Sequence, residues 1–442
     1  MHLHPDRPFA PRKLPFFYGW WLIGVGTLGM LSSIPGQTMG VSVFTDHLIE
    51  VTGLSRLGLS NAYLIGTLAS GFLLPVGGVL LDRLGARVLA MLASLGLAAT
   101  LLFLSRIDHV ILWLTGTFGL ATTGLTAAAV LTLAFACLRF SGQGLLTMSS
   151  RTMVTKWFER RRGFVSGILG VFISFGFSLA PVVLLAWIAY AGWRGAWVGM
   201  AGTVGIGMAA VAYLFYRDNP EECGLRMDGA PVPEFAAGAI GPIEHGMTRA
   251  QAVRTPVFWM VTLALCVQSM VFTGVTFHIV DIGAQGGLAR EAAVALFIPI
   301  AFIATPMGFI VGAAADRVPL RPLVAAMALF QMLGFIGIAY VGEFWLRILA
   351  IVGWGLSQGF FGPLTSVAIP KLFGRKHLGA IAGVQMSCLV IGSALGPALL
   401  AASKRYTDGY EFGMLACCLF AAVPLGLAAL LRTTGVPERP PQ

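Results

Sequence analysis

Residues 137–144 read CLRFSGQG, placing an arginine four residues before a Gln-Gly pair inside a long apolar run. A charged side chain within a membrane helix is costly and is rarely placed there without a task. The planar guanidinium offers a fork of N–H donors that matches a carboxylate, so Arg139 predicts an anion site. The structural alternative is that Arg139 bonds backbone carbonyls and Gln143, or reaches an acid such as Asp46 or Asp281. A second polar feature, Phe277-His278-IV-Asp281-IG, sets an imidazole and a carboxylate three residues apart on similar helix faces. Such a pair can gate or couple proton movement, with Asp46 and His47 as further candidates; its alternative is an interfacial histidine capping a helix end. Gln37, Tyr63, Gln268, Trp354 and Gln358 complete the candidate substrate contacts, although an isolated amide in an apolar helix also serves as helix–helix glue. The six cysteines have no ligand or redox spacing, and no nucleophile–base constellation occurs. Neither an enzyme, a metal nor a cofactor is expected.

The elements that position these residues follow from composition. Of 442 residues 57% are apolar and only 11% charged, and the mean hydropathy is +0.83, as in a polytopic membrane protein. Apolar stretches of about 20 residues fall at 18–45, 57–81, 86–105, 131–156, 161–190 and 194–216, then at 256–280, 291–315, 321–341, 344–370, 378–402 and 411–432. The expectation is an all-α protein of twelve spans in two six-helix bundles, 18–216 and 256–432. A tail (1–17), a Gly/Pro-rich linker (217–255) and a second tail (433–442) flank and join them. Ser32, Ser33, Pro35-Gly36, Gln37 and Thr38 interrupt the first span near its middle, and Pro-Gly there predicts a broken helix.

Positive charge sets the orientation. With twelve crossings, the tails and the loops on their side hold 20 of the 29 Lys and Arg, so both termini are expected in the cytoplasm. The net charge of +10 is then topological, and nucleic acid is dropped as a partner. The stretch at 106–130 is apolar enough to pass for a thirteenth span. A thirteenth crossing would put Lys156 and Arg160–Arg162 opposite Arg83 and Arg87, so the stretch reads as a lengthened outer end of spans 3 and 4.

Two patterns recur in both halves, the mark of a duplication. Gly78-VLL-Asp82-Arg83-L-Gly85-A-Arg87 is echoed by Gly312-AAA-Asp316-Arg317-VPL-Arg321, with Pro319 in the place of Gly85. Lys156-W-Phe158-ERRR-Gly163-FVS-Gly167 is echoed by Lys371-L-Phe373-GRKHL-Gly379-AIA-Gly383. The GxxxDRxGxR pattern between spans 2 and 3, repeated between spans 8 and 9, resembles the signature of the major facilitator superfamily, over about residues 18–432. Tyr18-Gly19-Trp20, KWFERRRGFVSGILG, RDNPEECG and FHIVDIG further resemble its monocarboxylate and oxalate–formate porter branch. The resemblance implies a secondary transporter, symporter or antiporter, that moves small organic anions, often with a proton, by alternating access. The two Asp-Arg loops would be its conformational latches. Spans 8 and 11, where porters of that branch commonly carry a basic residue, hold none, so anion binding here rests on Arg139.

Aligning the Lys-x-Phe patterns puts Gln143-Gly144 on Gln358-Gly359 and Arg139 on Trp354. Gln-Gly therefore belongs to both halves, and the arginine to one. Many superfamily members carry Arg-x-x-Gln-Gly in span 4, tied in some to proton coupling; the spacing here is one residue longer. Arg139 lies 17 residues before Lys156, roughly 25 Å along a helix, in the outer part of a hydrocarbon core of about 30 Å. On an unbroken α-helix Gln143 and Ser150 would share its face, whereas Arg151 would turn away and snorkel toward the cytoplasm. The expected protein is a monomeric, multi-pass transporter of the bacterial inner membrane, moving a small organic anion with protons. Its rivals are a proton-driven exporter of amphipathic compounds and a transporter-like sensor that does not translocate.

Overall fold

The computed structural model describes residues 4–118, 124–230 and 246–431. The expected middle of the linker, residues 231–245, the tail from 432, and residues 119–123 of the lengthened segment lie outside the described residues.

Long apolar sequences form helices because a helix satisfies its own backbone where water is absent. Among the described residues nine helices are long and apolar enough to cross a membrane. Two of these are double. Arg56–Ser105 is interrupted at Gly85, whose φ of 79° lies in the left-handed region that favours glycine. The run Arg162–Phe215 is interrupted at Gly192, with φ 70°. The first span is absent from the nine because it is broken: Tyr18–Leu31 ends before a 3-10 turn at Ile34–Gly36, and short helices follow at Thr38–Ser42 and Thr45–Thr52. Pro35 supplies no N–H to continue the ladder. With these interruptions the helices supply the twelve expected crossings. The lengthened segment carries its own helix, Ile107–Phe118, anchored by an Asp108–Arg194 ion pair of 2.5 Å.

The chain divides into two compact units. One comprises Met1–Phe158, Phe172–Ile243 and Ala382–Ser387; the other comprises Glu159–Val171, Glu244–Ile381 and Cys388–Gln442. In the first unit the broken span 1 meets span 4 where two glycines touch. A Cβ on Gly36 would lie 2.8 Å from the Gly142 Cα, so neither residue can be larger without moving backbone. Span 4 is itself irregular there, because Phe140–Leu146 forms a π-helical turn between Gly124–Arg139 and Thr147–Trp157.

At the basic end of the first unit the segment before span 1 is strapped down. Buried Arg217 donates to the carbonyls of Pro5 (2.6 Å), Arg7 (3.1 Å) and Phe9 (3.1 Å), and buried Arg87 donates to those of His4 (3.3 Å) and Arg7 (2.7 Å). Residues 4–9 are thus part of the bundle's packing, although the sequence read them as a tail.

The second unit packs around Val275, Phe335, Trp354, Met414 and Ala421, all nearly inaccessible. Elsewhere large apolar side chains such as Phe72, Leu133, Ile206, Phe302 and Leu419 are more than 60% exposed, the coat that lipid would cover.

Candidate functional site

The polar groups of the first unit gather where span 1 breaks. The break frees the Gly36 carbonyl from helical pairing and points the Thr38 hydroxyl toward span 4. Arg139, 2% exposed, donates from Nη1 to the Gly36 carbonyl (3.2 Å) and to Thr38 Oγ1 (3.3 Å). Its guanidinium carbon lies 5.4 Å from the ring centroid of Tyr63, whose hydroxyl also donates to Thr38 (3.0 Å). Beside them Gln37 Nε2 donates to Ser33 Oγ (3.0 Å), and the Thr147 hydroxyl donates to the same oxygen (3.0 Å).

No carboxylate pairs with Arg139 among the described residues. Asp46 pairs with Arg56 at 2.6 Å on an exposed surface, and Asp281 accepts from Tyr410. A buried ion costs several kcal/mol. Hydrogen bonds to a charged group return about 1.5–3 kcal/mol each, and a cation–π contact about 0.5–2 kcal/mol. The cation is thus tolerated and its charge stays uncompensated. Its Nε is buried without a partner, as is Gln143 Oε1. Nη1 is committed to the protein, and the Nε edge of the fork remains for an oxyanion.

The π turn explains the spacing of CLRFSGQG. A π turn closes i→i+5 bonds and holds one more residue than an α turn. The extra residue between Arg139 and Gln143 is accommodated there, so the flanking α-helices keep their register. The face drawn for an unbroken α-helix is corrected accordingly. Ser150 is fully buried and bonded to the Leu146 carbonyl and Tyr216, away from Arg139's partners. Arg151 is only partly buried, and no hydrogen bond or ion pair engages it among the described residues.

In the second unit the equivalent region is neutral. Gln268 donates to Gln358 (2.7 Å), and Gln331 donates to Gln268 (3.0 Å) and to the Ala264 carbonyl (2.8 Å). Trp354, which occupies Arg139's place in the repeat, is 1% exposed with its indole N–H unpartnered, between Phe272 and Phe297. The sequence named three members of this cluster but not Gln331, whose only signal was an amide alone in an apolar span. Thr147, buried in span 4, carried no signal at all.

His278 and Asp281 meet through Tyr410. The tyrosine hydroxyl donates to Asp281 (2.5 Å) and lies 3.4 Å from His278 Nδ1, while His278 Nε2 lies 3.1 Å from the Pro397 carbonyl. Lys404 stands 5.6 Å from the same ring. A tyrosine 132 residues away is invisible to any reading of span 7 alone.

The two Asp-Arg loops, expected to act as latches, divide by residue. Arg87 donates to the Tyr213 carbonyl (2.9 Å), and Arg321 to the carbonyls of Ala428 and Ala429, so each braces the end of its unit's last helix. Gly85 turns tightly against the Asp218 carboxylate, which accepts the Ala86 N–H. Asp316 accepts from the N–H groups of Gly163 (2.7 Å) and Phe164 (3.3 Å), capping the helix that begins at Arg162. Asp82 is half-buried; Arg83 and Arg317 are exposed.

This broken-helix, duplicated architecture is that of a membrane transporter, and the family comparison agrees. The Major Facilitator Superfamily model matches residues 27–397, and the chain belongs to that family. It is therefore a multi-pass membrane transporter and not an enzyme. Among curated proteins it is similar to the probable sulfoacetate transporter SauU of Cupriavidus necator, 28% identical over 177 residues. That match takes in 38% of this chain and spans 36% of the relative's length. Among solved structures it resembles the proton:xylose symporter XylE (18% identity, 94% of this chain and 95% of that one, TM-score 0.63). It also resembles the E. coli fucose:proton symporter FucP (15% identity, 93% and 98%, TM-score 0.59). A third is the human organic anion transporter TETRAN (14% identity, 94% and 100%, TM-score 0.61). At these identities the structural likeness defines the fold.

Proposed function

We propose that the protein is a secondary active transporter of small organic anions, coupled to protons and working by alternating access in the cell membrane with both termini cytoplasmic. One observation carries the reading: the buried Arg139 guanidinium has no carboxylate among the described residues, and its Nε edge is unpartnered. A substrate carboxylate or sulfonate would supply the missing charge. The similarity to a probable sulfoacetate transporter supports an acidic two-carbon substrate. The resemblance to the monocarboxylate and oxalate–formate branch supports the same class. Gln37, Tyr63 and Gln143 would orient the anion beside Arg139, and Gln268, Trp354 and Gln358 would offer neutral donors and acceptors. His278, with Asp281, would carry the proton dependence, and the Asp82–Arg87 and Asp316–Arg321 loops would act as latches.

The test is a thermal-shift and binding screen of purified protein with sulfoacetate, acetate and oxalate, repeated with Arg139→Gln. A ligand at a hundred times its Kd stabilises the folded state by about 2.7 kcal/mol, a readily measured shift. The variant is expected to lose that shift for every anion. Equal stabilisation of wild type and variant would remove Arg139 from the site and this reading with it.

A further inference from the structure

Span 4 carries three cations, Arg139, Arg151 and Lys156, and the chain contains no Asp or Glu between Asp108 and Glu159. Arg151 and Lys156 have no hydrogen bond or ion pair among the described residues. Some other basic groups near helix ends do bond backbone carbonyls. Lys371 donates to the Ala315 (2.6 Å) and Val318 (2.8 Å) carbonyls, and Arg87, Arg217 and Arg321 all cap carbonyls. The hydroxyls around Arg151 do not serve it either: Thr147, Ser149, Ser150 and Thr155 each bond a carbonyl of their own helix.

Exposure singles out the same residue. From Ser141 to Phe158 every residue is buried except Gln143 and Arg151. This stretch of span 4 is thus enclosed except at two partly buried positions, one beside the Arg139 cluster and the other at a guanidinium with no hydrogen bond among the described residues. Twelve residues separate the two arginines, roughly 18 Å at 1.5 Å per residue, and Arg151 stands six residues, roughly 9 Å, before the helix end at Trp157.

We propose that Arg151 is a second oxyanion-binding residue, a station in series with Arg139 on the path between the central cluster and the face carrying Lys156. An anion leaving Arg139 enters a low-dielectric passage, where an uncompensated charge costs several kcal/mol. A second cation part-way along lowers that barrier, and weak binding at successive sites lets a charged substrate both enter and leave. The inference deepens the proposed function and rests on its reading of Arg139. The ligand chemistry is a carboxylate or sulfonate of the soluble substrate; a lipid phosphate would satisfy the same fork and is separated from it below.

The experiment measures sulfoacetate exchange in right-side-out and inside-out vesicles for wild type, Arg139→Gln, Arg151→Gln and Arg151→Lys. Arg151→Gln is expected to raise KM at least about fivefold from the Lys156 face and less than about twofold from the opposite face, with Arg151→Lys recovering most of the loss. A KM effect equal from both faces, or none, overturns the station. So does a defect that appears in vesicles containing phosphatidylglycerol and vanishes in phosphatidylcholine, which assigns the guanidinium to lipid. Saturable exchange surviving Arg139→Gln would instead overturn the proposed function. A second measurement stands whatever the cargo is. Arg151→Cys, added from the Lys156 face, should react with a sulfonate-bearing methanethiosulfonate at least about tenfold faster than wild type. Labelling no faster than wild type overturns the proposal.

Discussion

A single side chain decides most about the first unit. Arg139 is held by Gly36, Thr38 and Tyr63 through one edge of its fork, so its charge is fixed in place without being neutralised. His278 is the proposed counterpart in the second unit for proton dependence. Protonated at Nδ1 it can donate to Tyr410, which already donates to Asp281; neutral with its proton on Nε2 it keeps only the Pro397 carbonyl. The tyrosine thus joins the imidazole to a carboxylate, and His278→Ala is expected to flatten the pH dependence of uptake. An unaltered profile in proteoliposomes would remove His278 from coupling. Cys223, outside the spans, makes a different kind of prediction. Burial pushes its thiol up to about 12 despite the neighbouring Arg217 cation. The folded protein therefore favours the protonated thiol. That stability is complete below the ordinary thiol value of 9.0 and is lost as pH rises through about 12. At pH 7.5 maleimide should leave Cys223 unmodified until the protein is unfolded, as mass spectrometry would read.

At the scale of elements, the two irregular stretches lie against each other: the broken middle of span 1 and the π turn of span 4, in contact through Gly36 and Gly142. A one-residue insertion in a regular helix would rotate everything beyond it by about 100°, turning buried residues outward. The π turn confines that change to residues 140–146. Deleting Ser141 restores the Arg-x-x-Gln-Gly spacing, and the variant is expected to fold with a melting temperature within a few degrees of wild type. Its affinity for the anion should change, because Gln143 shifts relative to Arg139. Deleting Ala134 from the regular helix below should abolish folding. Size-exclusion profiles and melting curves compare the two, and equal damage from both would refute the insertion account.

On the scale of the whole molecule, the N-terminal segment is closed onto the basic end of the first unit. Arg217 bonds carbonyls of Pro5, Arg7, Phe9, Leu214 and Tyr216, closing the N-terminal segment onto the end of the last helix of that unit. Removing the donor leaves buried carbonyls unpaired, so Arg217→Ala is expected to cost about 2–4 kcal/mol. Lower thermal stability together with protease cleavage before Tyr18 would verify this; cleavage unchanged from wild type would refute the strap.

Class, span count and duplication were all legible in the sequence, because in a bilayer they depend on local quantities. An apolar run must become a helix wherever its backbone has no water to bond, and Pro-Gly in span 1 had to break it. The oddity of CLRFSGQG was legible too, but its resolution was not. A π turn, the Tyr410 bridge between His278 and Asp281, and the open position of Arg151 all depend on residues distant in the chain. Periodicity records which face a residue occupies on an ideal helix; only packing decides where the helix departs from ideal and which polar group is left without a partner.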